Sequence, residues 1–393
     1  MEQEGVDGLV ASTLENCFYM TGVWNIGQEL FPHDTQAYVV ATRDDVAAAV
    51  MVTSMGEADL TLGANSSLRD VVTYGRFFRE LLAGQSLNED EERIKAITLE
   101  RQPEEDALSA LVSALRLCQL DQKVVAVDER GPNRDLLSEL QTRLPGATFV
   151  PASQLFRRIR MVKTGEELER MEGALRITEN AFRKTVAEAA PGVTERELFH
   201  VFEKAITAGG ARPGFTLLRF GRGMALGQVP AGDTQLQTND YIWFDIGCTF
   251  KGYRSDIGRV VPVGEPSAHL VELFGAVRAG QDRAIELMTP GRLASEVFEG
   301  AMERVRETGI PHYKRHHVGH GIGAEFYDLP IITPTAHVAL EPNMIFEVET
   351  PYYEMGFGGA FIEDTVLITE SGNRILTELS RDLVPAASVA PRR

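Results

Sequence analysis

Asp245 and Asp256 bound the segment Asp245-Ile-Gly-Cys-Thr-Phe-Lys-Gly-Tyr-Arg-Ser-Asp256, and His320, Glu349 and Glu363 follow in the same half of the chain. Carboxylates and an imidazole in this proportion have the composition of a two-metal hydrolase site. In such a site carboxylates hold two cations a few Å apart, and the cations turn a shared water into a nucleophile. Most of these acids interrupt apolar runs: Asp245 follows Ile242-Trp-Phe, Glu349 closes Ile345-Phe-Glu-Val, and Glu363 follows Phe361-Ile. An unpaired charge buried in such a run is costly, so each acid needs a cation or a dense set of donors.

Asp256 lies eleven positions after Asp245, past the turn-forming Gly252, so a hairpin brings the two acids side by side. Any one such acid is more often an ion-pair partner or a solvent-facing residue, and the argument rests on the set. Glu347 and Asp364 are read as bystanders of that kind, turned by strand alternation to the face opposite Glu349 and Glu363. The stretch His312-Tyr-Lys-Arg-His316-His317-Val-Gly-His320-Gly-Ile-Gly323 concentrates four of the eight histidines in nine positions. Glycines beside His320 allow a close backbone approach to a metal, and imidazole serves both ligation and proton transfer near neutral pH.

Two other features invite functional readings. Gly221-Arg-Gly-Met-Ala-Leu-Gly227 lacks the spacing and strand–turn–helix context of a dinucleotide loop and is read as a turn. Trp24, in Tyr19-Met-Thr-Gly-Val-Trp, is either a core residue or a roof over a substrate pocket contributed by the first domain.

The elements that must position these residues form an α/β pattern. Gly8–Ala11, Gln36–Ala41 and Lys123–Asp128 read as buried strands, with helical spacing over Glu104–Leu117 and Asn133–Leu144 between them. This alternation predicts a mixed sheet covered by helices. Thr164 can cap a helix opening with Glu166 and Glu167, which places a domain junction near residue 158, with domains at 1–157 and 158–393. Beyond the junction, helical patterns at Glu166–Ala190, Thr194–Ala208, Ala268–Met288 and Leu293–Thr308 interleave with strand-like runs. Those runs are Tyr241–Thr249, Gly258–Val263, Ile345–Thr350 and Phe361–Thr369. The tail from Pro385 onward is expected to fray.

A chain of 393 residues, 44% apolar and 24% charged, is long enough for two domains with full cores. Its 39 basic and 57 acidic residues give a net charge of −18, which disfavours nucleic acid and anionic lipid as partners. Cys17, Cys118 and Cys248 are widely spaced and form neither a disulfide framework nor a thiolate zinc motif, which fits a reducing compartment. With neither an export signal nor a membrane span expected, the cytoplasm is the default location.

Four blocks carry a family resemblance: Asp245-x-Gly-x4-Gly-Tyr-x-Ser-Asp256-x-x-Arg259, Gly319-His320-Gly-Ile-Gly323, Leu340-x-Pro-x-Met344-x-Phe-x-Val-Glu349 and Ile362-Glu363-Asp-Thr-Val-Leu-Ile-Thr369. Their order and spacing resemble the metal-ligand blocks of the M24 metallopeptidases, the pita-bread enzymes that include prolidase, aminopeptidase P, methionine aminopeptidase and creatinase. The resemblance implies a creatinase-like amino-terminal domain followed by a pita-bread catalytic domain. It also implies two divalent cations, with Mn, Co, Zn and Fe all compatible with a carboxylate-rich site. In that arrangement Asp245 binds one metal, Asp256 and Glu363 bridge both, and His320 and Glu349 complete the second. Glu349 is also the implied proton shuttle, and His316, four before His320, matches a substrate-facing catalytic histidine.

The chain departs from the family at three substrate positions. Gln228 and Tyr327 stand where the peptidases have histidines, and Phe361 stands where prolidases and aminopeptidases P have arginine. Arg219, Arg222, His316 and His317 remain as groups that can compensate. Three functions follow from the resemblance: an Xaa-Pro dipeptidase or aminopeptidase P acting on small peptides, a hydrolase of a small non-peptide amide like creatinase, and a non-catalytic binding module. A homodimer is the expected assembly.

Overall fold

The computed structural model describes residues 1–63 and 68–389. Its contacts divide the chain into two compact units, Met1–Arg157 and Arg158–Arg393.

Among its described residues the first unit is built on six strands: β1 (Gly8–Ala11), β2 (Tyr38–Thr42), β3 (Val50–Ser54), β4 (Asp70–Tyr74), β5 (Val124–Val127) and β6 (Thr148–Pro151). They run in the order β4-β3-β2-β1-β5-β6. β1 is antiparallel to β2 and parallel to β5, so the sheet is mixed. The Ala107–Leu117 helix begins where the Asp106 side chain accepts from the Ser109 amide. Such a cap contributes on the order of 1 kcal/mol. Its apolar positions Ala107, Ala110, Leu111, Ala114 and Leu115 bury against Val10, Val40, Val50 and Val52 of the sheet. Trp24 sits in this unit with its ring edge-on to Phe18, and its indole N–H donates to Glu29.

The second unit carries ten strands: β7 (Arg212–Phe220), β8 (Tyr241–Phe250), β9 (Tyr253–Pro262), β10 (Gly319–Gly321), β11 (Asp328–Ile331), β12 (Ile345–Glu349), β13 (Tyr352–Glu354), β14 (Gly358–Ala360), β15 (Ile362–Thr369) and β16 (Gly372–Ile375). Seven form the path β11-β10-β12-β15-β9-β8-β7, β16 adds to β15, and β13 pairs with β14 separately. The pairings along the large sheet are antiparallel. Long helices pack on it. Gly165–Ala187 opens with a capping box in which the Thr164 hydroxyl accepts from the Glu167 amide and the Glu167 carboxylate accepts from the Thr164 amide. Met302, Val305, Val277 and Phe274, on the Ala268–Leu287 and Ala294–Thr308 helices, join Phe346, Val348, Ile362 and Val366 of the sheet in one core.

Two ion-pair arrangements fix the strands that matter most. Asp364, fully buried, lies between Arg259 (2.5 Å) and Arg381 (2.8 Å), and Gln281 donates to it at 3.0 Å. Burial raises its pKa, but the two guanidinium groups outweigh that and hold it below the usual carboxylate value. Asp328, also buried, accepts from Arg160 at 2.7 Å and so ties β11 to the segment that precedes the Gly165–Ala187 helix.

Two details differ from expectation. Gly221–Leu226 is a 3-10 helix rather than a turn, with Met224 and Gly221 buried. At the carboxyl end, Ala386–Val389 forms a helical turn packed close to Phe182 and Val261, while residues 390–393 of the tail lie outside the described residues. No helix among the described residues is long and apolar enough to cross a membrane.

Candidate metal centre

Strand register assembles the acids. On the β8–β9 hairpin Asp245 pairs with Gly258, and Asp256 pairs with Gly247. The two aspartates are thus diagonal neighbours on one face rather than direct partners, since cross-strand partners and residues two apart share a face. Glu363 also pairs with Gly258 across β9–β15, and Glu349 pairs directly with Glu363 across β12–β15. Gly258 is needed at this crossing because a Cβ there would come within 2.1 Å of the Phe361 ring. On the other side of β12, His320 pairs with Glu347. Gly319, at φ 148, is equally constrained, since its Cβ would meet the Glu347 carbonyl at 2.3 Å.

Donor atoms of Asp256, His320 and Glu363 converge within 4.8 Å of one another, and all three residues are buried. His320 Nε2 and Asp256 Oδ2 lie 4.0 Å apart. That is too long for a hydrogen bond and lies inside the maximum separation, about 4.2 Å, of two donors that each sit about 2.1 Å from one ion. His320 Nδ1 donates to the Gly321 carbonyl at 3.0 Å, which leaves the Nε2 lone pair facing Asp256. Asp256 Oδ1 is buried without a hydrogen-bond partner. Asp245 joins from β8 and Glu349 from β12, so the five residues expected as ligands all project from the same face of one sheet.

The electrostatics of this cluster are those of a cation site. Burial, followed by the charge of Glu349, pushes Asp245 up to about 8 against the pull of Arg315. Burial and then Asp245, Glu347 and Glu349 drive Asp256 well above its ordinary value. Burial and the surrounding carboxylates, Asp256 first, do the same to Glu363. Burial depresses His320 to about 4, so its imidazole is neutral and able to ligate at neutral pH. Repelling carboxylates, a neutral imidazole and an orphaned oxygen together fit divalent cations, which would remove the repulsion and occupy the orphan.

The surroundings of Glu349 redistribute the expected roles. Its Oε1 lies 3.3 Å from Arg315 Nη2 and 3.2 Å from His317 Nδ1. The imidazole is close but not aligned as a hydrogen bond, and burial with Arg315 lowers its pKa to about 3. It is His317, not the exposed His316, that reaches Glu349; the His316 ring instead stands edge-on to His317 at 4.3 Å. Tyr327 lies over the site, stacked on His320 at 3.7 Å and edge-on to His317 at 5.9 Å.

Other positions fall elsewhere. Phe361, expected to face substrate, is fully buried with Met224, Tyr241, Trp243, Val260 and Leu270. It shares the face of Glu363, but its ring fills the space left by Gly258 and so closes into the core. Gln228 is exposed after the 3-10 helix. Arg219 is taken up by Glu195 at 3.2 Å and by the Val229 and Pro230 carbonyls. Trp24 belongs to the first unit and packs there on Phe18. His312 is bonded to the Tyr352 hydroxyl at 2.9 Å.

Sequence reasoning passed over Arg315, which sits directly before His316 and reads as part of an ordinary basic run. It also passed over Tyr353, whose hydroxyl is raised by burial and by Asp245 and Glu349. Asp364 is turned away from Glu363 as expected, but Glu347 is not a bystander on the opposite face. Residues two apart on a strand share a side, so Glu347 stands with Glu349; it is completely buried, and its Oε1 accepts from Thr365 at 3.1 Å.

The comparisons with known proteins agree with this geometry. Residues 169–370 match the model of metallopeptidase family M24, and residues 1–162 match the creatinase/prolidase N-terminal domain. The chain is 34% identical over 238 residues to the Xaa-Pro dipeptidase of Pyrococcus furiosus, covering 60% of this chain and 68% of that protein. It is 30% identical over 250 residues to the Xaa-Pro dipeptidase of Pyrococcus horikoshii, covering 63% and 71%. The crystal structure of an X-Pro aminopeptidase from Thermotoga maritima superposes with a TM-score of 0.77 at 25% identity, over 98% of this chain and 97% of that one. Prolidase from Pyrococcus furiosus superposes at 0.74 and 25%, over 97% and 98%. With a creatinase-type amino-terminal domain and a mixed α/β metal-binding domain behind it, this chain belongs to metallopeptidase family M24 and is a metallopeptidase.

Proposed function

We propose that the protein hydrolyses the amide bond of small Xaa-Pro peptides with two divalent cations, Asp245 holding one, Asp256 and Glu363 shared by both, and His320 and Glu349 completing the second. The observation that carries this reading is the convergence of Asp256, His320 and Glu363 within 4.8 Å on the sheet face that also bears Asp245 and Glu349. Two divalent cations held by these residues would supply Lewis-acid polarisation of the scissile carbonyl and activation of a water nucleophile near neutral pH.

The remaining work falls to this chain's side chains. Arg315 and His317 approach Oε1 of Glu349, which leaves the other carboxylate oxygen to accept a proton from the attacking water and pass it to the departing amine. Tyr327 offers a hydroxyl donor to the substrate carbonyl. Its phenol is raised by burial and by the nearby acids, so it stays protonated at neutral pH. The exposed His316 stands beside His317 at the edge of the site and is assigned to substrate contact.

A second reading, hydrolysis of a small non-peptide amide, rests on one observation. Tyr327 covers the site where the peptidases carry a histidine, and Phe361 turns into the core where they carry an arginine, so the site holds fewer groups for a free carboxylate.

The test is metal analysis of purified protein with assays on Ala-Pro, on Xaa-Pro-Xaa peptides and on a small-amide panel, each with added Mn or Co. Two metals per chain with Xaa-Pro hydrolysis is the expected result. Metal binding with turnover only of small amides selects the second reading, and protein that binds no metal refutes both.

A further inference from the structure

We infer that Glu347 is a further carboxylate of the metal centre, donating its Oε2 to a cation on the sheet face that carries Asp256, His320 and Glu363. The inference rests on the two-cation reading above and concerns a residue outside the five expected ligands.

Three observations place it there. Register comes first: Glu347 pairs with His320 on one side of β12 and with Thr365 on the other, and it precedes Glu349 by two residues. Its side chain therefore projects from the face that carries His320, Glu349 and Glu363. Satisfaction comes second. Glu347 is 0% exposed, its Oε1 takes the Thr365 hydroxyl at 3.1 Å, and its Oε2 has no partner. A carboxylate needs a positive charge at that oxygen and a carboxylic acid needs an acceptor there; the structure supplies neither, so both protonation states are left unsatisfied by the protein alone. Position comes third. The other orphaned carboxylate oxygen among the acids of this face is Oδ1 of Asp256, so two unpartnered oxygens stand on one face of the sheet. The guanidinium pairs of this domain lie elsewhere: Arg259 and Arg381 serve Asp364, and Arg315 serves Glu349.

A cation satisfies both oxygens. It also explains why Thr365 donates to Glu347, since a hydroxyl bonded to one carboxylate oxygen orients the other toward the metal. With Glu347 the donors become five carboxylates and one imidazole, a hard, oxygen-rich set that favours Mn over Zn.

The test compares the full-length protein with Glu347→Gln, which keeps shape and the Thr365 hydrogen bond but removes the charge. Apo proteins are titrated calorimetrically with Mn and with Zn, the Co-loaded forms are examined by visible absorption, and apo melting is recorded alongside. The expected result is a roughly tenfold or greater loss of Mn affinity at one site, a smaller loss for Zn and a changed Co spectrum, in the range that lost ligand-shell groups produce. Glu347→Asp, which keeps the charge, should recover part of the Mn affinity. Wild-type affinities and an unchanged Co spectrum in Glu347→Gln overturn the inference, as does a change confined to apo melting. If the wild-type protein itself binds no metal, it is the two-cation reading that fails.

Discussion

Tyr327 lies flat on the imidazole of His320, ring centroids 3.7 Å apart and planes 15° from parallel, with the His317 ring edge-on to it. The phenol thus covers a candidate metal ligand without touching its Nε2 face, and it stands where related peptidases place a second imidazole. Burial and the neighbouring acids hold its proton in place, so it donates a hydrogen bond but does not shuttle a proton at neutral pH. Tyr327→His should raise kcat/KM on Xaa-Pro substrates by roughly tenfold or more, the low end of what a positioned general acid–base group contributes. Metal content should not change. Steady-state kinetics with metal analysis decide the matter, and an unaltered rate would remove Tyr327 as the determinant of specificity.

Asp256 should be the most sensitive ligand. It lies 4.0 Å from His320 Nε2, clusters with Glu363, and keeps one buried oxygen without a partner. Asp256→Asn preserves shape but offers one neutral oxygen in place of a carboxylate. Metal occupancy and hydrolysis should fall together, each by about tenfold or more at micromolar metal. A fully metallated, fully active Asp256→Asn enzyme would refute the shared-ligand assignment.

The carboxylate cluster also predicts how the metal-free protein responds to pH. Asp245, raised from 3.8 to about 8 in the folded chain, keeps a proton that the unfolded chain has already lost. Asp256 and Glu363 are raised in the same direction. A folded pKa above the unfolded one gives stability that is complete below the unfolded value and lost as pH rises through the folded value. His317 and His320, depressed to about 3 and about 4, act oppositely at lower pH. Above about pH 7 they are largely neutral in both states, so the carboxyl effect dominates there. Chelator-treated protein should therefore melt progressively lower between about pH 7 and pH 9, and saturating Mn should flatten that slope. Equal slopes with and without metal would mean that the cations do not neutralise these acids.

The chemistry was more legible in the chain than its environment. Asp245, Glu349 and Glu363 each interrupt an apolar strand, so the cost of burying charge marked them without any knowledge of register, and Asp256 was marked by its hairpin spacing from Asp245. Helix limits were similarly local: the Thr164–Glu167 capping box can be read in sequence, and the structure forms it. What escaped depends on pairing between distant segments. Whether Glu347 faces the acids follows from counting residues along β12, but that its Oε2 lacks a partner depends on which residues β10 and β15 bring alongside. Whether His316 or His317 reaches Glu349 depends on the turn of an irregular loop, where no period applies. Phe361 shows the same limit from the other side. Its match to the family's arginine position suggested exposure to substrate, yet Gly258 on the neighbouring strand opens room for the ring to be buried.

That burial makes Phe361 a stability residue first. Its ring occupies the space above Gly258 and lies 6.0 Å from Trp243, with no accessible surface. Phe361→Ala should cost about 3–5 kcal/mol of unfolding free energy, through lost burial and the cavity left between Trp243 and the sheet. KM for the small substrate should change little at temperatures where the variant stays folded, because the removed atoms touch core residues rather than the open side of the site. Denaturant unfolding of the metal-free proteins measures the first quantity, and kinetics on the metal-loaded proteins measure the second. A variant that keeps wild-type stability but shows a several-fold change in KM would return Phe361 to the substrate shell and contradict the packing seen here.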